Sequence, residues 1–408
     1  MKLKDRLNHK HTIFACFIAY ITQSIVVNFL PLLFLTFCNQ FSISLELVTF
    51  LITANFLLQM LTDLVATKLV TKIGCRAGMV FANIFAMSGL IAIAFLPLII
   101  KPFVALVIGV ILCAIGSGLV EVLISPIVEV CPTKNKSAMM SFAHSFYCWG
   151  TVLVIALSTL FFVLFGVENW LYLTLGWAIV PIVGGILFTA VPIFNDHEQE
   201  REKSALKTLL SSGWFWLFCL LMTCSGAAEV SMGQWASAFA ESALKVDKTM
   251  GDLLGPCAFA LLMGVARTLY AVISKKVNLK KCMIFCAVLC IICYLLTVFV
   301  PIPWVSLCAC ATCGFAVGIM WPGTLSIASK TLGGTTALFA LLAVFGDIGC
   351  TLGPTIVGIV SAKFNDDLKK GLLCVIIFPV IMILGNIILA KKKSGKNLPA
   401  QNQAVSVD

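Results

Sequence analysis

Twelve stretches of about twenty or more apolar residues recur along this chain, and no other feature constrains its fold as strongly. They run at roughly 11–37, 45–66, 77–98, 102–127, 139–165 and 170–192. After a polar break they resume at roughly 213–240, 249–273, 280–300, 303–329, 334–361 and 369–390. Each is long enough to cross the ~30 Å hydrocarbon core of a bilayer as a helix, which satisfies its own backbone hydrogen bonds there. The pattern predicts an all-α membrane protein of twelve transmembrane helices in two pseudo-symmetric six-helix bundles. Composition agrees: 60% of the residues are hydrophobic and 11% charged, too little polar surface to cover a water-soluble protein of this size.

The net charge of +10 would suit nucleic acid, but its placement argues against such a partner. Lysine and arginine gather at the termini and in short loops, with no basic stripe and no interleaved aromatics. Twenty-one of the 28 fall in the termini and the even-numbered loops and six in the alternate loops, with Arg267 inside a span. By the positive-inside bias, both termini are expected in the cytoplasm, with the chain multi-pass in a plasma (inner) membrane. The first apolar run is span-length and lacks a small-residue cleavage site, so it reads as a span and not as a cleaved signal. The 18 cysteines are scattered through apolar runs. Cys282, Cys286, Cys290 and Cys293 share a helical face and read as small hydrophobes, with thiol chemistry as the lesser alternative.

The longest polar connection, 193–212, separates an expected N-terminal bundle (1–192) from a C-terminal one (213–390), and a tail at 391–408 is expected to be disordered. The halves echo each other. Asp63 precedes Lys72 by nine residues, as Arg267 precedes Lys276; Gly118 lies eight before Pro126, as Gly314 does before Pro322. Such punctuation suggests parallel repeats about an axis along the membrane normal, with a site between them.

Charged groups inside the spans are the functional candidates, because placing one in hydrocarbon is costly unless it pairs or lines a wet path. Glu121 leads. A carboxylate in a low-dielectric cavity favours its neutral form, as a proton carrier must, although a permanently paired structural ion would look the same in sequence. Asn55, Gln59 and Asp63 recur at i, i+4 and i+8, one inward polar stripe on span two. Asp63 either relays protons or pairs with a basic group. Arg267 on span eight needs a carboxylate or an anionic ligand, and Glu229 (span seven) and Asp347 (span eleven) are its candidate partners. That set is a static network, a coupling device or an anion site. His144 either titrates or packs. Trp149, Trp235 and Trp321, with Gln23, Asn28 and Gln234, have the flat faces and amide donors that grip polar solutes. Tryptophans at span ends are equally interface anchors.

Several of these residues fall in stretches that carry a resemblance. The loop 67–76, TKLVTKIGCR, is similar to the glycine, aspartate and arginine signature of the major facilitator superfamily, with Thr67 where glycine is usual and Thr71 where aspartate is. Gly118-Leu119-Val120-Glu121 with Ser125-Pro126, then Phe142 to Gly150 (FAHSFYCWG), resemble the fucose permease branch of that superfamily. So do Gly226-Ala227-Ala228-Glu229-Val230-Ser231 with Trp235, and Trp321-Pro322-Gly323-Thr324-Leu325-Ser326. The resemblance implies proton-driven sugar uptake, with Glu121 in the proton and substrate site. It also implies that an acid at the end of span four, here Glu129, pairs with the basic loop at Lys72 or Arg76 to latch one conformation. One departure matters: Val27, beside Asn28, stands at about the position of the branch's second acid, so its two-acid relay cannot be carried over.

The reading is a secondary transporter, by expectation a proton-coupled importer of a small polar solute such as a sugar or sugar derivative. An exporter of amphipathic or cationic compounds is the alternative, and a non-transporting sensor a distant one. No P-loop, nucleophile elbow or metal-ligand cluster appears, so no enzyme, cofactor or metal is expected. The partners expected are substrate, protons and the lipid bilayer, for a chain that works, as its superfamily usually does, as a monomer.

Overall fold

The computed structural model describes residues 7–43, 45–194, 209–246, 251, 253–365 and 367–391. The expected linker and tail fall largely outside them. Among the described residues there are eleven helices long and apolar enough to cross a membrane. They are His9–Leu30, Lys72–Leu98, Pro102–Val130, Lys136–Phe165, Val167–Ala190, Gly213–Ala236, Leu253–Ile273, Leu279–Phe299, Pro303–Leu332, Ala337–Ser361 and Leu368–Lys391. A shorter apolar helix, Ala54–Ala66, lies between the first two. It carries the Asn55, Gln59, Asp63 stripe, all three buried. Counted in chain order with Ala54–Ala66 as span two, these are spans one to twelve.

Chain punctuation follows local chemistry. Spans two and three belong to one helical run, Leu45–Phe95, broken at Gly74 with φ 79° and ψ 160°. Side chains resist that conformation, which is why the basic loop needs a glycine there. Pro102 and Pro303 open spans four and ten, where a missing N–H costs nothing. Asn135, Asn278 and Thr335 cap spans five, nine and eleven, accepting from the amides of Ala138, Lys281 and Leu338. Large apolar side chains such as Ile99, Val163 and Val272 lie about three-quarters exposed around the outside, the surface a bilayer covers.

One end of the molecule holds the ends of spans one, three, six, nine and twelve. There Thr12 Oγ1 donates to the Pro192 carbonyl (2.6 Å), Arg76 Nη1 to the carbonyls of Phe188 and Thr189 (2.8 and 3.1 Å), and Lys280 Nζ to that of Leu389 (2.7 Å). We call this the terminus-bearing end. The halves meet through spans two and eleven, four and eleven, five and eight, and five and ten. Glycines permit the close approaches: a Cβ on Gly116 would sit 2.8 Å from the Ala82 carbonyl oxygen of span three. A continuous buried core joins residues of both halves, whereas a second core, around Ile25, Phe29 and Trp170, is built by the N-terminal half alone.

Candidate functional site

Span four places Glu121 at the centre of the molecule. Gln23 of span one donates from Nε2 to Glu121 Oε2, while the buried Gln23 Oε1 finds no donor. Three residues earlier, a Cβ on Gly118 would lie 2.8 Å from Asp63 Oδ1 and 2.9 Å from Thr62 Cβ, so only glycine lets span four lie against the polar stripe of span two. Ser117 Oγ donates to Gln59 Oε1 (2.8 Å), which leaves the Gln59 amide free to donate toward Asp347 of span eleven. Asp63 and Asp347 face each other within hydrogen-bonding reach, one from each half.

Arg267, 3% exposed, organises the other side. Its Nη2 meets Glu229 Oε2 at 3.1 Å. Nη1 donates to the His144 carbonyl (3.1 Å) and approaches Cys148 Sγ (3.2 Å) on span five, and Nε donates to the Gly318 carbonyl (2.7 Å) on span ten. Gly318 lies four residues before Pro322. Proline has no N–H, so that carbonyl has no helical donor, and span ten breaks into Pro303–Val317 and Met320–Leu332. The guanidinium supplies the missing donor. One cation thereby ties spans seven, eight and ten to span five of the other half.

Of the two expected Arg267 partners, Glu229 is the one engaged. Asp347 instead meets Gln59 and Asp63, because it lies on the face of span eleven turned toward spans two and four. Glu121 and Glu229 are near enough to interact with each other and with Arg267, and Asp347 with Glu121. The central cluster thus sets four carboxyls against one guanidinium. Fully ionised it would bury a large negative surplus, which a low-dielectric interior does not sustain; it must hold protons or draw cations.

The remaining candidates distribute around this cluster. The buried His144 ring shares hydrogen bonds with Tyr20 Oη (3.0 Å) and Ser125 Oγ (3.3 Å). Asn28 Nδ2 donates to the Ser24 carbonyl (3.0 Å) and Thr151 Oγ1 (3.2 Å). Trp149 Nε1 donates to Thr268 Oγ1 (3.1 Å) across spans five and eight, and Trp235 Nε1 to the Pro354 carbonyl (3.0 Å). Both indoles are therefore fixed by helix contacts. The Trp321 ring lies over Gly346, where a Cβ would come within 2.1 Å of it. Asn55 is buried and Gln234 exposed. Apart from the cluster, an apolar crevice of about 320 Å³ opens between spans eight, nine and ten, beside Leu269, Phe285 and Phe315; its lining is too apolar to hold a polar solute.

The latch differs from expectation. Glu129 does not pair with Lys72, which is exposed, or with Arg76, whose Nη1 is held by the Phe188 and Thr189 carbonyls. Glu129 Oε1 instead accepts from Ser329 Oγ (2.7 Å) of the other half. Beside it, Lys330 Nζ donates to Ser137 Oγ (2.9 Å) and Asn135 Nδ2 to Ser274 Oγ (2.9 Å). Lys136 Nζ braces the end of span four by donating to the carbonyls of Glu129 and Cys131. Burial pushes the Cys131 thiol up to about 11 against the pull of the Lys136 ammonium, so this loop cysteine is an inert filler. These contacts close the terminus-bearing end. Among the described residues, no hydrogen bond joins the halves beyond the level of Trp149 toward the opposite end. No residue pattern in the sequence marks Ser137, Ser274 or Ser329, since the latch depends on register between halves.

Known structures share this architecture. The fucose:proton symporter of E. coli superposes with a TM-score of 0.76 at 15% identity, over 92% of this chain and 98% of that one. A structure of the same transporter in the outward conformation gives 0.77 at 13% identity over the same shares. The proton:xylose symporter XylE, bound to 6-bromo-6-deoxy-D-glucose, gives 0.73 at 13% over 94% and 95%. At such identities the likeness is one of fold. No curated protein matches the chain by sequence. The sequence model of the Major Facilitator Superfamily, however, matches residues 12–354, and with twelve helices arranged as in those symporters the chain belongs to the major facilitator superfamily of transporters.

Proposed function

We propose that this transporter takes up a small polar solute, a sugar or sugar derivative, together with protons by alternating access across a plasma (inner) membrane, with both termini cytoplasmic. The observation that carries the reading is the excess of three carboxyls over cations in the central cluster, drawn from both halves around Glu121. A group of that composition changes charge by binding and releasing protons as water reaches it from one side and then the other. Gln23, Asn28, Gln59, Trp321 and Gln234 are the proposed solute contacts, and Glu121, held by Gln23, the proposed proton carrier. The likeness of fold to two sugar:proton symporters supports the substrate class.

Purified protein in liposomes tests the proposal with radiolabelled L-fucose and D-xylose as probes. Imposing an acid-outside gradient is expected to drive accumulation that a protonophore abolishes. Glu121→Gln is expected to lose accumulation and retain solute exchange at equilibrium. Uptake indifferent to a collapsed gradient would sink the coupling. The same carboxyl surplus also suits lipophilic cations. Stabilisation of the purified protein by such cations and by no sugar would replace this reading with the exporter.

A further inference from the structure

We infer that Asp63 and Asp347 form a single proton-binding site that bridges the two halves, in which one proton is held jointly by both carboxyls. The role of that proton in transport rests on the coupling proposed above; the site itself does not. Asp63 is wholly buried, and neither of its carboxylate oxygens finds a hydrogen-bond donor; Asp347, 6% exposed, leaves Oδ2 equally bare. The two groups nevertheless lie within hydrogen-bonding reach. Two ionised carboxylates have only acceptors and repel each other, so this juxtaposition closes only when a proton sits between them.

Among the described residues the surroundings offer no other counter-charge. Glu121 from span four and the Cys350 thiol on span eleven face the pair, and Glu229 lies beyond them on span seven. Arg267 is spent on Glu229 and three acceptors elsewhere. The charged residues of spans one, three, ten and twelve lie at their ends. Among the described residues, the neutral donor beside Asp347 is the Gln59 amide, oriented by Ser117. Gly118 presses from the other side at a distance that admits no larger side chain. Because the carboxyls come from spans two and eleven, the proton holds the halves together in this orientation. Its release would set two like charges against each other across the interface and favour their separation.

Linkage gives a direct test on the purified chain in detergent. Above about pH 5 an unfolded aspartate is ionised, so a proton retained only by the native state makes stability fall as pH rises. Each such proton raises the unfolding equilibrium constant tenfold per pH unit. Asp63→Asn or Asp347→Asn supplies a permanent amide donor to the remaining carboxylate, so either alone should remove one proton's worth of slope between pH 6 and 8. The double variant should remove no more than either single one. Glu121→Gln should leave that component in place, even if proton-driven uptake is lost. Two results overturn the shared site: a double variant that loses twice the slope of the singles, or singles with wild-type slope. So does stabilisation by sodium at fixed pH that both variants abolish, since it would assign the pair to a metal cation. If the double variant fails to fold, single variants with wild-type slope still overturn the site. Should uptake prove indifferent to a proton gradient while the slopes behave as stated, the site stands and the coupling reading fails.

Discussion

Arg267 joins four spans, and each of its donors satisfies a different acceptor. Removing the guanidinium leaves the Glu229 carboxyl and the Gly318 carbonyl without their donor, and takes a second donor from the His144 carbonyl. Breaking one side of a buried ion pair typically costs about 3–5 kcal/mol, because the partner charge stays behind. Arg267→Gln should therefore destabilise the purified protein by that order in a denaturant titration. Adding Glu229→Gln should recover part of the loss, since it removes the orphaned charge; strictly additive effects would show that the pair is not coupled. At this scale the sequence told part of the story. A lone arginine in hydrocarbon announces a partner, and the acid that directly follows Gly226-Ala227-Ala228 is one of the two that were candidates. Nothing in a linear pattern separates Glu229 from Asp347, because which acid faces the cation depends on the rotation of spans seven and eleven about their own axes. Glu129 failed for a related reason: the basic loop is near in sequence logic, but the serine that meets it lies two hundred residues away on the other half.

Elements were more legible than contacts. Hydropathy marked the crossings, and the i, i+4, i+8 stripe on span two correctly implied one buried polar face, since 3.6-residue periodicity needs no tertiary knowledge. The Gly314 and Pro322 punctuation of span ten read as an echo of Gly118 and Pro126 on span four. What it could not convey is that the carbonyl freed by Pro322 becomes an acceptor for Arg267. The break in span ten and the charge on span eight are thus one device, and this is testable. Pro322→Ala restores an N–H that can return to the Gly318 carbonyl and heal the helix. The Arg267→Gln variant should then be less damaging in the Pro322→Ala background, by about 1 kcal/mol, in a double-mutant cycle read by thermal or denaturant unfolding. Equal damage in both backgrounds would mean that the carbonyl at 318 is satisfied independently of the proline, and the coupling would be discarded.

At the scale of the whole molecule, closure of the terminus-bearing end rests on few bonds. Glu129 accepts from Ser329, Lys330 donates to Ser137 and Asn135 donates to Ser274, the first two being charge-assisted. A two-state transporter needs such a latch to be weak: its free energy must be small enough for a bound solute or proton to overturn. A hydrogen bond to a charged group is worth about 1.5–3 kcal/mol, so deleting the one at Glu129 should raise the open-to-closed ratio by roughly ten- to a hundredfold. Glu129→Ala is the variant that deletes it, and amide hydrogen exchange at constant pH is the readout. Peptides covering 131–135 and 330–335 should exchange faster in Glu129→Ala, while peptides in the core around Ile25 and Trp170, built by one half alone, should exchange at the wild-type rate. Acceleration everywhere would signal general loosening of the fold and not the release of a latch. No acceleration at the two loops would place the closing force elsewhere, and the bridge at spans two and eleven, where Asp63 meets Asp347, would then be the part of the interface that holds the halves together.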